Sequence, residues 1–174
     1  HSDDAPHVLV VAGGPGEEII SQLFFDHAGR VYLTGLISGA TATFNQNAPG
    51  VTILSSLQSV AVFAAQYTTT GTLSWVRGGG GGTLVNNTPA NLDELDEVAL
   101  GVHAAVDATD RFYLTGLFKG VGLTFAGQAL TASTGWDSFV VSLNSSGTVL
   151  WKHTIGGAGH DILTDAVVNS ANDL

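Results

Sequence analysis

Apolar runs rich in Val, Ile, Leu, Phe, Tyr and Trp alternate with short polar clusters along most of the chain. In "LFFDHAGRVYLTGL" (23–36) one such run meets Asp26-His27-Ala28-Gly29 and a second leaves it. Asp opens turns through its side chain and Gly supplies the positive φ a tight turn needs. "AAQYTTTGTLSWV" (64–76) repeats the plan with Thr68 to Gly71, and "SFVVSLNSSGTVLWKHTI" (138–155) with Asn144 to Gly147. Strand-forming residues flank each cluster, so each segment predicts a β-hairpin. One segment breaks the pattern. "TPANLDELDEVALG" (88–101) carries Leu92, Leu95 and Ala99 at helical spacing, with Thr88 as cap, Pro89 at a first-turn position and Gly101 as stop. A short helix or an acidic loop is expected there.

The hairpins fall into a repeat. "FFDHAGRVYLTGL" (24–36) matches "AVDATDRFYLTGL" (105–117), an offset of 81 residues that also aligns Phe44 with Phe125. "FAAQYTTTGTLSW" (63–75) matches "FVVSLNSSGTVLW" (139–151), an offset of 76. Each unit therefore predicts four strands, as two hairpins joined by a longer linker. The ends of the chain carry fragments of the same unit. "HVLVVAGGPGEE" (7–18) is similar to the fourth strand and exit at 151–161. "LTDAVVNSANDL" (163–174) is similar to the first strand and turn at 19–31, with Asn169 standing where Asp26 and Asp107 stand. Self-similarity of this kind marks packing units stacked on one another rather than a single active site.

The order of the motifs is similar to that of the SBBP-type bacterial β-propeller repeats. Unit two carries Asp107, Tyr113, Thr115, Gly116, Asp137, Phe139, Val140, Gly147 and Trp151, then Gly156, Gly157, Gly159 and Asp161. Unit one carries Asp26, Gly29, Tyr32, Thr34, Gly35, Phe63, Gly71 and Trp75. It departs from the pattern at Ala61, where unit two has Asp137, and in "RGGGGG" (77–82) at its exit. The resemblance implies an all-β fold of four-stranded antiparallel, blade-like sheets. The division is a partial blade at 7–18, blade one at 19–82, an inserted acidic loop or short helix at 83–100, blade two at 101–161 and a partial blade at 162–174. Tyr32, Gly35, Trp75, Tyr113, Gly116 and Trp151 are the structural positions of the repeat. The resemblance also implies a large exported bacterial protein and no particular catalytic chemistry. Propellers close with about four to eight blades. Two blades and two orphan strands are expected to self-associate through the terminal strands, as a ring or a filament, or to belong to a longer propeller.

Composition narrows the partners. Of 174 residues, 44% are hydrophobic and only 11% charged, with 15 acids, 5 bases and a net charge of −10. Five scattered cations cannot neutralise a row of phosphates, so nucleic acid is excluded as an expected partner. No apolar run reaches the length that spans a bilayer, so membrane insertion is not expected. The sequence starts His1-Ser2-Asp3 and lacks Met. A processed or excerpted product is expected, with an extracellular or cell-surface location.

Candidate chemistry is sparse. The six histidines show no metal-binding spacing. Asp161 and Asp165, beside the carbonyls of "GGAGHD", form a calcium candidate, as do Asp93, Glu94, Asp96 and Glu97. Neither group has the spacing of a calcium loop, and no other cofactor is indicated. Gly78 to Gly82 lack the Lys and Ser/Thr of a phosphate loop and are expected to form a flexible exit loop. No nucleophile elbow is present, so catalysis is not expected. Trp136 in "TGWDS" is the residue suited to stack on a sugar, which keeps a lectin-like, glycan-binding module as the alternative to a structural one.

Overall fold

The computed structural model describes residues 12–13, 18–37, 41–44, 52–55, 61–80, 103–118, 124–131 and 136–174. The apolar runs become strands and the polar clusters become the turns between them. Unit one contributes β2 (Glu18–Phe25), β3 (Val31–Ile37), β4 (Thr41–Phe44), β5 (Thr52–Ser55), β6 (Ala61–Tyr67) and β7 (Leu73–Gly80), preceded by β1 (Ala12–Gly13). Unit two contributes β8 (Ala104–Val106), β9 (Phe112–Phe118), β10 (Thr124–Phe125), β11 (Gln128–Ala129), β12 (Asp137–Leu143) and β13 (Val149–Ile155). The described residues are all-β, and every pairing is antiparallel.

The described strands form three sheets. Unit two forms β8-β9-β12-β13, and β2-β3-β6-β7 forms the matching four strands of unit one. The register repeats with the sequence: Gly35 opposes Phe63 in unit one as Gly116 opposes Phe139 in unit two. The third sheet, β1-β4-β5, is small.

The central strands explain the continuous apolar runs. All seven residues of β3 and all seven of β12 are buried, so both faces of each strand meet other parts of the chain. Tyr32 and Leu36 of β3, with Val62, Ala64 and Trp75, face a cluster completed by Phe112, Leu114, Phe118, Phe125, Phe139, Val141 and Leu143 of unit two. Val31, Leu33 and Ile37, on the opposite face, pack with Ala42, Phe44, Phe63, Ala65, Tyr67 and Val76. The larger cluster is thus the seam between the units.

Four expectations change. The linker between the second and third strands of each unit is not featureless, since it holds a hairpin strand pair, β4–β5 or β10–β11. Unit one's sheet is accordingly six-stranded, because β10 and β11 of unit two extend it past β7. Gly78 to Gly80 are strand and not exit loop: β10 gives them a partner, with Phe125 opposite Gly79 and Thr124 opposite Gly80. Residues 162–174 form no strand, and among the described residues no second strand lies beside them to complete a ladder. The helix candidate at 88–101, the acids Asp93 to Glu97, and His1 and His7 lie outside the described residues.

Candidate functional site

Among the described residues one kind of turn recurs five times, and three of its copies lie at the seam. In each copy the first residue donates its N–H to the carbonyl of the fifth, and the fourth donates to the carbonyl of the first. Asp26, Thr68, Asp107, Asn144 and Asn169 are the first residues, at N···O distances of 2.8–3.1 Å. The first side chain accepts from the N–H groups of the third and fifth residues, at 2.7–3.3 Å. The fourth residue takes positive φ: Gly29 79°, Gly71 79°, Asp110 63°, Gly147 74° and Asn172 65°. This is a type I turn closed by a left-handed residue, a common hairpin link. Asn169 forms the same turn although residues 162–168 before it are not in a strand.

The two Asp turns also anchor the tyrosines of the repeat. Tyr113 donates its hydroxyl to Asp107 Oδ2 at 2.9 Å, and Tyr32 donates to Asp26 Oδ2 at 3.3 Å. Tyr32 in turn accepts from Gln66 Nε2 at 2.6 Å. Burial pushes the Asp107 carboxyl up, but donors from Arg111, Thr109 and Tyr113 outweigh it and leave the group below the ordinary carboxylate value. Asp26 is similar: burial raises it, while the Arg30 N–H and guanidinium and the Ala28 N–H bring it below. Burial, aided by the Asp107 bond, holds the Tyr113 hydroxyl above its usual value.

Five contacts then join the units. The β10–β11 hairpin pairs with the outer edge of β7 as a clasp. Trp75 lies on the second turn of unit two, its Nε1 donating to Ser145 O at 3.2 Å. Two residues along β7, Arg77 donates to Gly147 O at 2.7 Å and Ser146 O at 3.3 Å. Arg30 bridges the first turns, held by Asp26 at 2.5 Å and paired across the seam with Asp110. Finally Gln22 Oε1 on β2 accepts from the Ala104 N–H of β8 at 2.7 Å. Phe112 stacks on Tyr32 at 5.3 Å and meets Trp75 edge-on at 5.5 Å, which fills the space between these polar contacts.

The clasp occurs a second time. Ala12 and Gly13 of β1 oppose Phe44 and Thr43 of β4, as Gly79 and Gly80 of β7 oppose Phe125 and Thr124 of β10. In both places a Thr-Phe hairpin pairs with the strand segment that precedes its unit in sequence.

The structural residues inferred from the repeat occupy matched positions. Tyr32 lies 6.2 Å from Trp75 and Tyr113 lies 5.9 Å from Trp151. Gly35 and Gly116 each sit under the phenyl ring of the residue opposite. Trp136 is half-buried against the larger cluster, and its backbone bonds to His160 Nδ1 and the Asp161 N–H. Asp161 and Asp165 belong to the segment 161–174, which crosses the outer face of unit two. Ser138 Oγ donates to Asp161 O and accepts from the Leu163 N–H, both at 2.7 Å. His103 Nδ1 lies 3.4 Å from Asp165 Oδ1. Among the described residues no three His, Asp or Glu side chains come together to hold a metal.

Arg30, Arg77, Gln22 and the clasp were not identified from sequence as seam residues. The matched pair Phe44 and Phe125 was the available signal, each closing a Thr-Phe dipeptide inside an otherwise divergent linker. No known family model and no curated protein sequence matches the chain.

Proposed function

We propose that the chain is a non-catalytic, extracellular or cell-surface β-propeller-repeat module with a role in structure or assembly. Its sheets are completed by neighbouring copies or by further units of a larger propeller. The observation that carries this reading is the convergence of side chains on the seam between the repeats. Trp75, Arg77, Tyr32 and Arg30 converge on one seam, where they bind backbone and turns of the next unit. Side chains engaged in holding units together are what a stacking module requires. The lectin-like alternative rests on Trp136, whose half-buried packing against the seam cluster favours a structural use of that ring. Native mass spectrometry and light scattering across a hundredfold concentration range test assembly by neighbouring copies. Growth of the particle with concentration supports that form, and a glycan array that selects one sugar in a Trp136-dependent manner would replace the reading by the lectin one.

A further inference from the structure

The contacts between unit one and unit two are only half repeated between unit two and residues 161–174. The inner half is present. Gln22 meets the N–H of Ala104 across the first seam, and the equivalent His103 meets Asp165 across the second. Arg30 meets Asp110 of the following turn, and Ala108 donates its N–H to Asn172 of the turn after that at 3.1 Å. The outer half is open. Among the described residues no strand pairs with the free edge of β13, whereas β7 carries the β10–β11 clasp. Trp75 is 5% exposed beneath the second turn of unit two, while its equivalent Trp151 is half-buried. His153 stands where Arg77 stands, and Ile155 and Gly156 where Gly79 and Gly80 take the clasp. Leu150 and Ile155 on this strand are 48% and 43% exposed.

We infer that the free edge of β13, with Trp151, His153, Ile155 and Gly156, is a docking site for strands two to four of a further unit of this same type, which takes residues 162–174 as its first strand. The β13 edge continues the seam already formed between units one and two. The occupant must supply what β7 receives: a Thr-Phe hairpin to pair with Ile155 and Gly156, and an Asx-x-x-Gly turn whose glycine admits the indole of Trp151. Gly147 shows why glycine is needed, since a Cβ there would lie 2.8 Å from the Trp75 ring. Residues 161–174 already lie on the face that such a unit would cover, held by Ser138, and the Asn169 turn is already shaped to lead into the second strand. Donation of a first strand to a sheet lacking one is a known mode of β-recognition. This inference rests on the proposed stacking role but is narrower, because it names the edge and its occupant.

The test appends residues 113–161 of this sequence after Leu174, which stands where Phe112 stands, so that the Asn169 turn leads in register into a copy of strands two to four. The expected result is slowed amide exchange along β13, with Trp151 emission moving to the blue. Trp151→Ala should then lower the melting temperature of the extended chain at least twice as much as that of the original. If the extended chain does not fold, residues 113–161 are co-refolded with the full chain as a separate polypeptide, and the same Trp151 shift is expected. Unchanged exchange and emission in both formats would overturn the inference. So would protection of β13 in the original chain that grows with its own concentration, since the occupant would then be a second copy. That last outcome leaves the stacking role standing, whereas a β13 edge indifferent to both partners would remove the docking site alone.

Discussion

Gly116→Ala isolates the close approach on which the seam depends. An ideal Cβ at Gly116 lies 2.5 and 2.6 Å from Cε1 and Cζ of Phe139, and 3.2 Å from Val62 Cγ2. Carbon pairs settle at about 3.5–4.0 Å, so the ring must retreat by roughly 1 Å. It has little room: Phe139 is 2% exposed and packs against Phe118 at 6.3 Å and Phe125 at 5.4 Å. Overpacking of this kind costs about 1–3 kcal/mol. The backbone at Gly116 has no positive φ, so Ala also stiffens the unfolded chain and returns about 0.4–1 kcal/mol. The expected net loss is about 1–2 kcal/mol, or roughly 2–8 °C in melting temperature for a chain of this size. Thermal unfolding by circular dichroism measures it. The double variant Gly116→Ala/Phe139→Leu should be less destabilised than the sum of the two singles, because the smaller side chain removes the clash. Gly35→Ala should show no such rescue by Phe63→Leu, since its Cβ runs into the backbone carbonyl of Ile19 as well as the Phe63 ring. A neutral or stabilising Gly116→Ala, or strict additivity with Phe139→Leu, would refute the close-packing account.

Three further outcomes are expected. The Asp107 carboxyl is held below its unfolded value, so its contribution is present above about pH 4 and lost as pH falls through the folded value; Asp107→Asn should therefore destabilise most at neutral pH, with the gap to the parent closing in acid melts below about pH 4. Gly147 and Gly127 share left-handed backbones, φ 74° and 76°, but only Gly147 lies against Trp75, and nothing stands within 4 Å of a Cβ at Gly127. Denaturant titration should find Gly127→Asn within about 0.5 kcal/mol of the parent, while Gly147→Asn loses about 1–3 kcal/mol. Among the described residues the buried Tyr67 hydroxyl has no hydrogen-bond partner, and burial pushes its pKa up to about 12. Tyr67→Phe should then raise stability by about 1 kcal/mol or more, and a loss of stability on the same melting assay would show that the hydroxyl has a partner.

The strands and turns were legible because each is set by a few adjacent residues. Asp26, Asp107, Asn144 and Asn169 each carry the local signal of a side chain that accepts two backbone N–H groups, and the fourth residue of each turn needs only to tolerate positive φ. Gly35 and Gly116 were legible through their repetition. The clasp was not, because its partner is distant in sequence and its strands are two residues long; Thr124 and Phe125 carry too little β pattern to stand out. The glycine run fails as a local signal for the same reason. Gly78 to Gly80 have weak intrinsic strand preference, and only the hairpin of the next unit makes them strand. Arg30 and Arg77 likewise read as scattered surface cations until the fold brings Asp110 and the carbonyls of Ser146 and Gly147 to them.

The clasp makes one sheet wait for another during synthesis. β7 ends at Gly80, but the strands that cover its edge end at Ala129, roughly 50 residues later. At about 5–20 residues per second, that edge stays open for some 2–10 seconds of translation. The chain therefore cannot seal its units one at a time. Each unit leaves the growing end sticky until the next one's linker arrives, and the same dependence runs in reverse on unfolding. Loss of unit two strips two strands from unit one, so damage at any unit spreads to the one before it.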